Sequence, residues 1–297
     1  MMTRWIVRVL CLIGLGLASW GCQHPVKRLN YERITSPAMQ REMDYAIYLP
    51  PGWTADESLP LVVFLHGGGD DPGSFDRAGL GLRLDEAVQS GQMPRAVIVL
   101  PEGNLGMWAN WYDGTHHYED WVLNDLMAHI AKRYRTLPCP QDCHIMGISM
   151  GGFGSLKFVL HHPKRFASVA ILSGPILSTD AMITFSKNRW WRFLLKTPRV
   201  FGPTDDRSRL EKEDPFLRWT KASDLGGMRL LIAWGDEDRP GIIKGNEKFV
   251  QHLRDQDIPH QSLVFKGPHK WVAWTPVVLR ALQFQLLSPS DRSRSSS

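Results

Sequence analysis

Gly147-Ile-Ser149-Met-Gly151 is the segment of this 297-residue chain with the clearest capacity for chemistry. A serine set between two glycines suits a tight strand-to-helix turn, because glycine accepts backbone conformations and close approaches that other residues resist. Such a turn lifts the Ser149 hydroxyl above a strand end and beside a helix N-terminus, where it can attack an electrophilic carbonyl. The context agrees, since an apolar strand-like run over 144–148 precedes the motif and a helical pattern over 152–161 follows it.

A serine nucleophile needs a base, the base needs an orienting carboxylate, and the oxyanion that forms needs hydrogen-bond donors. His66-Gly67-Gly68-Gly69 follows the apolar run 59–65, and its glycines let backbone N–H groups approach a developing charge without side-chain interference. The N–H of Met150, next after the serine, supplies a second donor. Downstream, Gly235-Asp236-Glu237-Asp238 and Gly267-Pro268-His269 each follow an apolar strand-like run. Both fall in loops after strand C-terminal ends, where an open α/β sheet builds its site. Of the eleven histidines, His269 is the candidate base, whereas His24, His116, His117, His161 and His162 are placed like rim residues and His66 like scaffold. Asp236, Glu237 and Asp238 are the candidate acids.

The elements that must position these groups are legible. Apolar runs over 43–49, 59–65, 96–100, 144–148, 168–172, 230–234 and 262–265 read as strands, most of them continuous enough to be covered on both faces. Helical patterns over 118–134, 152–161, 246–254 and 271–287 alternate with them. The expected fold is α/β, a mostly parallel central sheet with helices on both faces. The stretch 177–222 breaks this rhythm with Trp190, Trp191, Pro198, Gly202-Pro203 and Asp214-Pro215, and reads as a cap-like insertion of helix and irregular loop.

Residues 1–21 carry a basic start, a ten-residue apolar run from Val9 to Ala18 and a small-residue zone, which predicts an export signal. That run is about half the roughly twenty residues a settled transmembrane helix needs. Gly21-Cys22 resembles a lipobox, with Cys22 as the lipid anchor holding the protein to a membrane, although Ser19 and Trp20 depart from that pattern. The predicted location is exported: periplasmic, or a membrane-anchored lipoprotein. Residues 22–38 read as a linker, 39–287 as one domain and 288–297, without an apolar residue except Pro289, as a disordered tail. Cys139 and Cys143 are either a small disulfide loop or two buried thiols, with no second Cys or His pair at metal-ligand spacing. The formal charge of +5 is scattered rather than clustered, which excludes a nucleic-acid footprint, and 43% hydrophobic content excludes global disorder.

In the order His66-Gly67-Gly68, Pro101-Glu-Gly103 with Trp111-Tyr112, Gly147 to Gly152, 166–173, Gly235-x-x-Asp238 and Gly267-Pro-His269-Lys-Trp271-x-x-Trp274, the chain resembles the esterase family of the α/β hydrolase superfamily. That family includes esterase D-like enzymes, feruloyl and acetylxylan esterases, enterochelin esterases and mycolyltransferases, and the resemblance covers roughly 40–287. It implies an α/β-hydrolase fold with Ser149 as nucleophile, Asp238 as acid, His269 as base, and Gly68 and Met150 as oxyanion donors, with no cofactor or metal. It also directs attention to the twelve tryptophans, several of which fall where the family builds its cleft: Trp108, Trp111, Trp190, Trp191, Trp271 and Trp274.

Aromatic faces suit sugar rings or aromatic acyl groups, so Trp108, Trp111, Tyr112 and Trp271 are the expected substrate contacts and a small-molecule, carbohydrate-linked or feruloyl-type ester the expected substrate. The three-residue spacing of Trp271 and Trp274 equally fits core packing, and Asn110 and Tyr112 fit loop closure. Three other functions are compatible with the same residues: an acyltransferase of the mycolyltransferase type, a peptidase with this triad, and a non-catalytic surface lipoprotein on a hydrolase fold.

Overall fold

Aliphatic and β-branched runs become the strands of one eight-stranded sheet in a computed structural model that describes residues 27–287. The strands are β1 (Asn30–Ser36), β2 (Arg41–Tyr48), β3 (Leu61–Leu65), β4 (Val97–Pro101), β5 (Cys143–Ile148), β6 (Ser168–Leu172), β7 (Arg229–Glu237) and β8 (Gln261–Pro268). Their spatial order is β1-β2-β4-β3-β5-β6-β7-β8; β1 with β2 and β2 with β4 are antiparallel, and all other pairs are parallel. Every residue of β3, β4, β5 and β6 is buried, as continuous apolar strands require when helices cover both faces.

One face of the sheet packs against α1 (Leu80–Gln89) and α10 (Trp271–Leu286), through Leu84, Trp274, Val278 and Leu282. The other packs against α2 (Met127–Tyr134), α3 (Met150–His161) and α9 (Pro240–Asp255), through Ile130, Phe158 and Phe249. The expected fold class is therefore the one observed, an α/β-hydrolase sheet. The helix expected over 118–134 is interrupted by a π turn at Trp121–Leu126, whose wider winding lets Trp121, Val122, Leu123 and Leu126 all be buried.

Two boundaries differ from expectation. The linker read over 22–38 is partly strand: β1 pairs along its whole length with β2, from Asn30 opposite Ile47 to Ser36 opposite Arg41. Its polar sequence hid it, because an edge strand owes its place to backbone pairing and buries only part of one side, here Glu32, Ile34 and Ser36. The 177–222 insertion holds five short helices rather than one: α4 (Thr179–Lys187), α5 (Arg189–Leu194), α6 (Thr197–Phe201), α7 (Arg207–Glu211) and α8 (Pro215–Arg218). Asn188, Asp206 and Asp214 each cap the next of these helices with a side-chain oxygen, which explains how so polar a stretch holds helical turns. A disulfide joins Cys139 to Cys143, the first residue of β5. The export signal, Cys22 and the C-terminal tail lie outside the described residues.

Candidate active site

Because β3, β5, β7 and β8 run parallel, the loops after them open on one edge of the sheet, and these loops carry Gly68, Ser149, Asp238 and His269. Ser149 stands at φ 53° and ψ −116°, a conformation costing about 1–3 kcal/mol for a residue with a side chain. Its N–H donates to the Leu172 carbonyl (2.8 Å) and its own carbonyl accepts from Phe153 N–H (3.1 Å), so the surroundings fix it. The flanking glycines are obligatory: a Cβ on Gly151 would run into the Leu65 carbonyl, and one on Gly147 into the carbonyl of Gly151.

Ser149 Oγ lies 2.8 Å from His269 Nε2, and His269 Nδ1 lies 2.7 Å from Asp238 Oδ1. An ionised carboxylate only accepts, so Nδ1 carries the imidazole proton and Nε2 is free to accept from the serine hydroxyl. Burial pushes the Asp238 carboxyl up, but the His269 ring and the Ser173 hydroxyl beside it outweigh that and hold it below the usual carboxylate range. Asp238 Oδ1 also accepts from Arg239 N–H at 2.7 Å. Asp236 is engaged elsewhere, accepting from Gly267 N–H (2.9 Å) and pairing with Lys266, while Glu237 is exposed. Of the three carboxylates left open by spacing alone, geometry brings only Asp238 to the histidine.

Gly67 and Gly68 lie against the elbow. A Cβ on Gly67 would sit 3.5 Å from Ser149 Cβ, and one on Gly68 would sit 3.8 Å from Met150 Cβ and 3.6 Å from Leu105. The amides of Gly68 and Met150 donate to no protein acceptor among the described residues. His66 is scaffold, as its position in the motif implies. Its Nδ1–H reaches the Gly67 carbonyl (2.8 Å), its Nε2 accepts from Gly103 N–H (3.0 Å), and its carbonyl accepts from Trp108 Nε1 (3.2 Å).

The expected substrate contacts divide. Trp108 is 0% exposed, wedged so tightly under Gly103 and Gly154 that a Cβ on either would strike its ring; it is a core residue and is corrected as a contact. Trp111, buried, packs tilted against the His116 ring (4.3 Å) and helps line a groove of about 280 Å³ with Leu105, Tyr118, Leu195 and Lys196. Tyr112 is 56% exposed, its ring under the Arg209 guanidinium at 5.0 Å. Trp271, half-buried on Phe64, donates its indole N–H to Asp70 Oδ2 (3.1 Å). Trp274 is core and donates to Ser173 Oγ (2.9 Å), with His269 packed edge-on against its ring at 4.7 Å. Asn110 closes its loop by accepting from Glu119 N–H (3.1 Å) and Asp120 N–H (3.2 Å).

Ser173 and Asp70 were not singled out by sequence, since nothing in their spacing distinguishes them. A third arrangement, Glu119, His161 and His162, brings three ligand-type atoms within 4.8 Å of one another. Hydrogen bonds already occupy it: Glu119 takes both histidines (2.9 and 3.0 Å), His161 Nε2 reaches Glu213 (3.0 Å), and the Lys157 ammonium binds Glu213 at 2.6 Å. Lys157 thus serves as the cation of this cluster, which ties α3 to the insertion.

Residues 36–284 match the family model described as "Putative esterase". The chain belongs to the esterase family. An esterase of Mycobacterium tuberculosis strain H37Rv is 26% identical over 86% of this chain, which spans 59% of that relative's length. The acetyl esterase of Caldicellulosiruptor saccharolyticus is 21% identical over 77% of this chain and 84% of its own length. Among solved structures, a ferulic acid esterase superposes with a TM-score of 0.71 at 22% identity, covering 87% of this chain and 96% of that one. Mycobacterium tuberculosis MPT51 gives 0.68 at 18%, covering 86% and 98%. At these identities the solved structures establish the fold alone, and the family match places the chain among the esterases.

Proposed function

We propose that this esterase is an exported serine hydrolase that cleaves carboxylic esters through Ser149, His269 and Asp238. The observation that carries the reading is the continuous hydrogen-bonded chain from Ser149 Oγ through His269 to Asp238, at 2.8 and 2.7 Å. His269 Nε2 takes the hydroxyl proton as Ser149 Oγ attacks the ester carbonyl, and Asp238 stabilises the imidazolium that results. The tetrahedral oxyanion accepts from the free amides of Gly68 and Met150, the latter also at the N-terminus of α3. His269 then protonates the leaving alcohol, leaving an acyl-serine. Water attacks that ester with His269 again as base, which releases the acid and restores the hydroxyl.

The proposed substrates are carbohydrate-linked or feruloyl-type esters. The groove beside Leu105 supports this, because Leu105 also touches the Gly68 loop and the groove is lined by the rings of Trp111, His116 and Tyr118, which pack on one another. A distant structural neighbour is a feruloyl esterase solved with ferulic acid. Export accords with the Cys139–Cys143 disulfide, which is favoured in oxidising compartments.

The test is turnover of p-nitrophenyl acetate and butyrate, methyl ferulate and acetylated xylan by the purified protein beside Ser149→Ala. Activity should fall at least about 10⁴-fold in the variant, together with fluorophosphonate labelling. Turnover retained by Ser149→Ala would refute the nucleophile. A preference for p-nitrophenyl esters over both methyl ferulate and xylan would refute the substrate class alone.

A further inference from the structure

We infer that α5, the Arg189–Leu194 helix of the insertion, is a docking surface for an anionic lipid bilayer. No residue of this helix is buried. Trp191 and Leu195, one turn apart, face inward; Trp191 stacks on Phe185 at 5.5 Å and Leu195 packs against the core. The opposite side presents Trp190 at 64% exposure and Phe193 at 81%, with Leu194 beside them. Large aromatics this exposed, adjacent in space on a rigid helix, are rare where only water is the neighbour.

Charge decides the occupant. From Ala181 to Thr204 the chain has no acidic residue, while Lys187, Arg189, Arg192, Lys196 and Arg199 lie within and on either side of the helix. Arg199 is paired with Asp113, but the other four are exposed and make no ion pair among the described residues. A second copy would set cations against cations, and an uncharged sugar would leave all four unanswered. Anionic headgroups answer the cations while Trp190, Phe193 and Leu194 enter the interface, the depth that amphipathic aromatic rings prefer. Beyond the helix, Leu195 and Lys196 form a wall of the groove that runs to Leu105 and the Gly68 loop, so the docking face adjoins the mouth of the site.

The experiment is co-sedimentation of the full chain carrying Cys22→Ser, so that no acyl anchor contributes, with phosphatidylcholine vesicles and with vesicles containing about one third phosphatidylglycerol. The N-terminal region is common to every protein compared, so differences report on α5. The parent should partition onto the anionic vesicles and be released by salt. Arg189→Glu with Arg192→Glu should lower partitioning about ten-fold or more, and Phe193→Ala should lower it several-fold. Thermal unfolding should be unchanged in these variants, since the side chains touch nothing buried. Equal partitioning of parent and variants, or equal binding to neutral and anionic vesicles, would overturn the inference. So would a dimer in solution that Phe193→Ala abolishes, which would assign the face to a second copy.

Discussion

Trp271 and Asp70, 201 residues apart, share a hydrogen bond of 3.1 Å that ties the helix following His269 to the loop carrying Gly68. His269 and the Gly68 amide come from distant parts of the chain, and this bond is where their supports meet. Trp271→Phe keeps a ring on Phe64 but removes the donor. If Trp271 positions the loop, kcat should fall roughly 3- to 10-fold with KM nearly unchanged. Steady-state kinetics distinguishes this from a substrate contact, which would raise KM instead.

Asp238→Asn should cost about 10⁴-fold in kcat, because the amide no longer holds His269 in the tautomer that accepts from Ser149. Asp236→Asn, at an exposed carboxylate engaged with Lys266 and Gly267, should stay within a few-fold of the parent. Reversal of these two effects in the same assay would reassign the acid.

Trp108→Ala should destabilise the fold by about 3–5 kcal/mol through the cavity it leaves. Trp111→Ala, buried but also lining the groove, should in addition raise KM for aromatic or sugar esters. Denaturant titration and kinetics of both variants test the division between core and contact.

The Lys157–Glu213–His161–Glu119 cluster gives stability a defined pH window. Although burial pushes it up, the Glu213 carboxyl is pulled down to about 2 from 4.5 by His161 and Lys157. A depressed carboxyl contributes stability above its ordinary value that fades as pH falls from 4.5 toward 2. Burial lowers His161, but Glu119 and Glu213 outweigh it and raise its net value above 6.5. A raised histidine contributes stability fully present below pH 6.5 and lost as pH climbs through its folded value. Support from the cluster should therefore be greatest between about pH 4.5 and 6.5. Glu213→Gln should cost about 2 kcal/mol there, or roughly 4–8 °C in Tm, with the gap to the parent closing toward pH 2.

Positions that are set by their immediate neighbours could be read from sequence. Ser149, His269, Gly68 and seven of the eight strands declare themselves through glycine spacing or continuous apolar runs. The acid needed more, because three carboxylates stand side by side in Asp236-Glu237-Asp238 and only the turn after β7 decides which faces His269. β1 was hidden because its partner, rather than its own composition, makes it a strand. Trp108 was misplaced because nothing in a tryptophan's sequence context says which side of a loop it packs on; Gly103 and Gly154, which make room for it, lie 5 residues before and 46 after. Ser173, Asp70 and Glu213 act through contacts across the fold, which spacing does not encode.

The pairing of β1 with β2 also sets a length. Were Cys22 lipidated, as its resemblance to a lipobox implies, no more than residues 23–27 would separate it from the fixed part of the domain, since Arg28 N–H and Leu29 N–H already bind Asp76 (3.0 and 3.1 Å) and Asn30 stands opposite Ile47. Five residues reach about 17 Å at full extension. On so short a leash the catalytic body samples only a thin layer above the lipid headgroups, at an effective concentration on the order of millimolar. An affinity of the Trp190–Phe193 face would then be reinforced by that concentration, so that a protein anchored at Cys22 would ride the membrane at two points rather than float on a line.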